Sequence, residues 1–322
     1  MRHFFIQGGQ NSRQKGSEKD LIATLLLAIP SFWPGLASIA QFFLPGVAAN
    51  LLCKNPIKKT LSLLFIVFIV GSILAIFIAS PGVPLILGQS IVIAGIILLS
   101  LEKGISGPET LIALTISLIV MDLTLMGILT GGDLKTPYNS ILNSMLSEYD
   151  KGIALYKESY GKDLPIQMQA VVQSIRQTLI TYMPGLLCAY LFFIGLLNIL
   201  TFEKLSIFRG LPRLGPDFEK WQMPEQFVWL FICFGFMALF PQEEYNIIGK
   251  NGVFVTSLFY LIQGFSIIKY FFKVYQTPLF ARILIYILIG IQWYGLLLIV
   301  FTGLMDTWFN FRSKIKGTNK VS

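Results

Sequence analysis

Apolar runs, most of them about twenty residues long, recur along this chain, and a run of that length crosses the hydrocarbon core of a bilayer as one helix. They cover 61–79, 83–101, 108–130, 176–200, 227–240, 247–273 and 279–303, separated by short breaks that are charged or rich in Gly and Pro. Backbone N–H and C=O groups find no water in that medium, so the runs must bond internally as helices. Only 13% of residues are charged, against about 25% in a soluble globular chain. The pattern predicts an all-α fold, a polytopic transmembrane helix bundle of about eight or nine helical segments.

The first apolar stretch, 21–52, is broken by Pro30, Pro34, Gly35, Pro45 and Gly46. Basic residues flank both its ends: Arg2, Arg13, Lys15 and Lys19 before it, and Lys54, Lys58 and Lys59 after it. Cytoplasmic loops collect Lys and Arg, so both ends face the cytoplasm if the stretch is a hairpin, with Pro34-Gly35 at its turn. That hairpin is an uncleaved first span and not a signal peptide. Residues 1–20 form a cytoplasmic basic tail, 21–303 a single transmembrane domain and 304–322 a basic C-terminal tail. Lys103, the 201–226 loop and the Lys269–Arg282 region then fall inside. The 131–175 segment falls outside. One piece conflicts: the tail carries Arg312, Lys314, Lys316 and Lys320, yet the map places it outside. Either one span is misjudged or residues 305–312 lie along the interface. The location expected is a bacterial inner membrane with the N-terminus cytoplasmic.

Within the polar 131–175 segment, Ile141, Leu142, Met145, Leu146, Tyr149, Ile153 and Tyr156 share one helical stripe. An amphipathic helix there either covers a pocket as a lid or only connects two spans. Small-residue ladders (Gly71, Ala75, Ala79; Ser90, Ala94) let helices approach closely, as in any membrane bundle.

Asp122 is the most informative single residue, because a carboxylate inside a span costs about 2.5–3.5 kcal/mol on the insertion scale. It is either a ligand or ion contact, or a structural or protonated carboxyl. Gln263 is a second candidate ligand-binding residue, though it and Asn198 also suit helix–helix hydrogen bonding. Lys269 can snorkel to the interface, and Asp306 suits a helix end. The net charge of +8 does not imply nucleic acid, since the basic residues sit at the ends of apolar runs. Cys53, Cys188 and Cys233 are far apart and read as packing residues. No P-loop, H-E-x-x-H or G-x-S-x-G motif occurs, and the one histidine is His3. Neither an enzyme nor a cofactor is expected.

Met183-Pro184, Trp221-Gln222-Met223-Pro224, Gln263-Gly264 and the stretch from Gly303 to Arg312 together resemble the YybS-like family of bacterial polytopic membrane proteins. That family is distantly similar to the substrate-binding S components of energy-coupling factor transporters. The resemblance implies a solute-binding protein without its own ATPase, partnered in the lipid bilayer by a transmembrane coupling protein and ATPases. The other reading is a membrane scaffold that docks partners through Arg209, Arg213 and Trp221 of the cytoplasmic loop.

Overall fold

The computed structural model describes residues 22, 23, 25, 26, 39–78, 83–160 and 165–313. Most of the first hairpin, including Pro30 and Pro34-Gly35, lies outside them, as do Ala79, Lys314, Lys316, Lys320 and the basic N-terminal tail. Among the described residues there are eleven helices and no strand. In chain order they are α1 (Leu44–Leu52), α2 (Ile57–Ile78), α3 (Val83–Lys103), α4 (Gly107–Leu129), α5 (Lys135–Tyr160), α6 (Ile166–Arg209), a 3-10 turn (Phe218–Lys220), α7 (Phe227–Met237), α8 (Glu243–Val274), α9 (Leu279–Ile291) and α10 (Trp293–Phe309). Four stretches are long and apolar enough to cross a membrane: Leu85–Lys103, Gly107–Leu129, Met168–Arg209 and Glu243–Val274. The chain divides into two compact units. The first comprises Met1–Asp122 and Tyr190–Asp217, the second Leu123–Ala189 and Phe218–Ser322.

In the first unit, α3 packs against both α1 and α2. Leu87, Ile93, Ala94 and Ile97 of α3 are buried with Leu111, Leu114 and Leu118 of α4 and Phe192 and Ile194 of α6. Gly71 of α2 leaves the space that Leu87 fills. The start of α4 reads from its sequence as a capping box. Ser106 donates its backbone N–H (3.0 Å) and its hydroxyl (2.8 Å) to Glu109, satisfying groups the helix cannot reach.

One device recurs in both units. Pro45, in the first turn of α1, has no N–H to offer the carbonyl of residue 41. Asn198 supplies one, donating Nδ2 to Gln41 O (2.9 Å) and to its own Ile194 O (2.9 Å), while its Oδ1 accepts from Gly46 N (2.7 Å). In the second unit α6 carries Pro184 in its interior. Here Asn251 donates Nδ2 to Thr181 O (2.8 Å) and to its own Ile247 O (2.8 Å), and accepts from Gly185 N (2.6 Å). Each is an Asn carboxamide clipped across a Pro-Gly step. Gly is required at both steps, because a Cβ at Gly46 would collide with Asn198 and one at Gly185 with Asn251 and Phe254.

The second unit holds α5 against the polar start of α6. Tyr149 donates to Val172 O (3.0 Å), and Arg176 lies 3.6 Å from Asp150. Of the predicted stripe, Leu146 is buried, whereas Met145 and Tyr156 are exposed. The span expected at 176–200 is one part of a 44-residue helix, about 66 Å long at 1.5 Å per residue. Its polar first third extends the span and partners α5. Further along, α7 rests on α8 where Gly249 and Gly252 leave room for the backbone at Met237–Ala238 and for the Phe234 ring.

The sequence predicted 279–303 as one crossing; the structure has two helices there, a broken span or a re-entrant pair. Leu279–Ile291 and Tyr294–Phe309 are bent by 107°, with Gln292 capping between them. Contacts join α8 to α10 and to the residues after it: Gln263 meets Asp306, Ser266 meets Arg312, and Tyr270 meets Arg312. The two helices meet where Gly264 faces Ile299 and Gly303 faces Tyr260. Arg312, the first basic residue of the tail, lies against Ser266 and Tyr270 of α8.

Candidate functional site

Asp122 sits about 10 Å before the end of α4, at 1.5 Å per residue. Gln89 of α3 faces it, donating Nε2 to both carboxylate oxygens at 2.9 Å. Gln89 Oε1 in turn accepts from Gln41 Nε2, and Gln41 Oε1 accepts from the Tyr190 hydroxyl at 3.4 Å. Every donor in this chain points toward the carboxylate. Gln41 and Gln89 are buried, Asp122 is half-buried and Tyr190 is 42% exposed, so the chain runs from the interior to an accessible ring. The Asn198 clip fixes the backbone of Gln41 and so sets the position of the amide that orients Gln89. Asp122 makes no ion pair among the described residues, and no cluster of three His, Cys, Asp or Glu suitable for a metal occurs among them.

Gln263, the other expected ligand residue, belongs to the second unit and has no spare group. Its Oε1 accepts from Met223 N (2.9 Å) and its Nε2 donates to Asp306 (3.2 Å). Asp306 is fully buried and also accepts from Phe311 N (2.9 Å), capping α10 where Asn310 turns left-handed at φ 42°. Arg312 folds back onto Trp221 O (2.8 Å) and Ser266 Oγ (3.2 Å), 3.5 Å from Asp306. Trp221, Met223, Gln263, Asp306 and Arg312, which carry much of the resemblance, thus form one buried network that ties α10 and Arg312 to α8.

A family model described as "Predicted membrane protein (DUF2232)" matches residues 21–307. The chain belongs to this family. No curated protein and no solved structure matches it. Membership gives the DUF2232 protein its class, a membrane protein with several helices able to span.

The residues expected to dock partners are largely engaged within this DUF2232 protein. Arg209 donates to Asn50 (2.6 Å), and Arg213 binds Glu203 (2.8 Å) and Asp217 (2.7 Å). Trp221 is 2% exposed, so its ring is core and offers no docking surface. Phe208, by contrast, is 88% exposed beside Arg209.

Sequence reasoning missed Gln41, Gln89 and Tyr190. Gln89 carried a readable signal as the one amide in the 83–101 run. Its pairing with a residue 33 positions away has no periodicity that could reveal it.

The 3-10 turn docks on the end of α8 through Glu219, a buried carboxylate bonded to Lys273 and 3.6 Å from Lys269. Lys269 also stands 5.2 Å from the centre of the Phe218 ring. Burial pushes the Glu219 carboxyl up, but the Lys273 hydrogen bond, with a backbone bond and both lysine charges, outweighs it and holds the group below its usual 4.5. Its stabilisation is present in full above 4.5 and is lost as pH falls below that through the folded value. Both lysines are more than half exposed, so solvent screening limits the effect to about 1 kcal/mol. Glu219→Gln at neutral pH, or acidification of the wild type, should speed protease cleavage in the 210–226 loop. Equal cleavage in all samples would show that Glu219 does not hold the turn.

Proposed function

We propose that this protein is a YybS-like, S-component-type solute-binding protein of the bacterial cytoplasmic membrane. It works without catalysis and without an ATPase of its own, and a transmembrane coupling protein and paired ATPases supply the energy. The observation that carries this reading is the Asp122–Gln89–Gln41 chain. Polar groups inside a membrane span face a partner or a pathway, and this carboxylate has an amide donor but no countercharge among the described residues. The Pro45-Gly46 break beside it adds the irregular backbone that lines binding sites in membrane proteins. In this reading the N-terminus is cytoplasmic. The Lys/Arg distribution supports that sidedness.

The test is purification of the tagged protein from its native membrane in mild detergent, with mass spectrometry of what accompanies it. Stoichiometric recovery of a coupling protein and two ATPases is expected. Asp122→Asn should keep that assembly and lose solute-dependent ATP turnover. Recovery of envelope or division proteins alone would instead favour the scaffold, for which the exposed Phe208 beside Arg209 is the supporting observation.

A further inference from the structure

We propose that Asp122 is the counter-ion for a cationic solute, an organic ammonium that donates N–H groups to the carboxylate and rests against the Tyr190 ring. The inference depends on the solute-binding reading and names the class of solute. It starts from charge. Asp122 lies within an apolar helix whose other acidic residue is Glu109, in its first turn. Lys103, the basic residue of α3, is about 21 Å along that helix from Gln89. Arg209 and Arg213 are held by Asn50, Glu203 and Asp217.

Hydrogen-bond inventory then selects the charged form. A protonated carboxyl needs an acceptor for its own hydrogen. Gln89 presents its amide nitrogen to both oxygens, and its carbonyl already accepts from Gln41. The arrangement fits a carboxylate. Each carboxylate oxygen accepts about two hydrogen bonds and here receives one contact from Gln89, so acceptor capacity remains for a positively charged donor. A bare metal ion fits poorly: the described residues offer no cluster of acids, His or Cys, and both glutamine carbonyls are engaged. An ammonium needs only the carboxylate and an aromatic face. Tyr190 and Phe42 supply the latter, edge to face at 5.8 Å.

The experiment measures thermal unfolding of the purified wild-type protein with benzylammonium chloride. Benzyl alcohol serves as the neutral control of similar shape, and sodium chloride matches ionic strength. Benzylammonium should raise the midpoint in a concentration-dependent way and the two controls should not. In Asp122→Asn its apparent affinity should fall roughly tenfold or more, as when a charge loses its partner. If Asp122→Asn does not fold, the wild-type comparison of ammonium with alcohol still decides. Equal shifts for the two probes, no shift with either, or an undiminished shift in Asp122→Asn overturns the proposal. Co-purifying ATPases together with such a result would leave the transport reading standing and remove only the cation. Absence of ATPases would remove the reading itself.

Discussion

Gly303→Leu should leave a protein whose C-terminal helices no longer pack on α8, less stable than wild type by about 3 kcal/mol or more. A Cβ at residue 303 would overlap the carbonyl of Tyr260 and crowd Gly264 N; one at residue 264 would overlap Ile299. The obstructing atoms are mostly backbone, so a rotamer change cannot relieve them. Overpacking where side chains can adjust costs about 1–3 kcal/mol; Gly303→Ala and Gly264→Ala, whose Cβ meets backbone, should reach the top of that range. Thermal unfolding in detergent and protease release of the segment after residue 275 would measure it. Gly290→Ala is the control, since nothing lies within 4 Å of its added Cβ; its change should stay within about 0.5 kcal/mol. If Gly303→Ala were as stable as Gly290→Ala, α8 and α10 would not meet through these glycines.

Asn198→Leu and Asn251→Leu should each destabilise by about 2–4 kcal/mol. Each substitution removes three hydrogen bonds, and bonds between membrane helices contribute roughly 0.6–1.7 kcal/mol apiece. It also strands the N–H of the following glycine and a carbonyl away from water. Asn→Asp keeps the acceptor but sets a carboxylate against two carbonyl oxygens inside the membrane, so it should fall no closer to wild type than Asn→Leu. The two changes should be separable by amide exchange. Loss of Asn198 should raise exchange at Gly46, and loss of Asn251 at Gly185. A cost below a few tenths of a kcal/mol for either would mean the broken turn is satisfied some other way.

The helices themselves were largely legible in the sequence, because hydrophobic length is a local property. The runs at 61–79, 83–101 and 108–130 became α2, α3 and α4 with ends shifted by a few residues. The Pro-Gly steps were readable as breaks, but their repair was not. Nothing near residue 46 or residue 185 names an Asn far along the chain as its partner. The bend in the run at 279–303 was hidden for a related reason. Apolar length alone does not show where a run bends, and Gln292 is a weak mark of the break. Asp122 was visible as an anomaly of charge. Its surroundings depend on which amides the packing of α3 and α1 brings to it, and only tertiary structure reports that. The Gly303–Arg312 stretch was recognisable as a pattern. Its role as a buried fastening became clear only with Gln263 and Trp221 in place.

The clips also impose a timetable on synthesis. Gly46 and its partner Asn198 are 152 residues apart, whereas Gly185 and Asn251 are 66 apart. At about 5–20 residues per second, the Pro45 turn waits roughly 8–30 s for its carboxamide and the Pro184 turn roughly 3–13 s. During that interval the nascent chain has inserted a helix with exposed amide groups that no later residue has yet reached. Until α6 arrives, water, a headgroup or a neighbouring protein has to satisfy the carbonyl of residue 41 and the N–H of Gly46. Where that is a neighbouring protein, ribosome stalling before residue 198 should trap the first unit in a form that crosslinks to the insertion machinery.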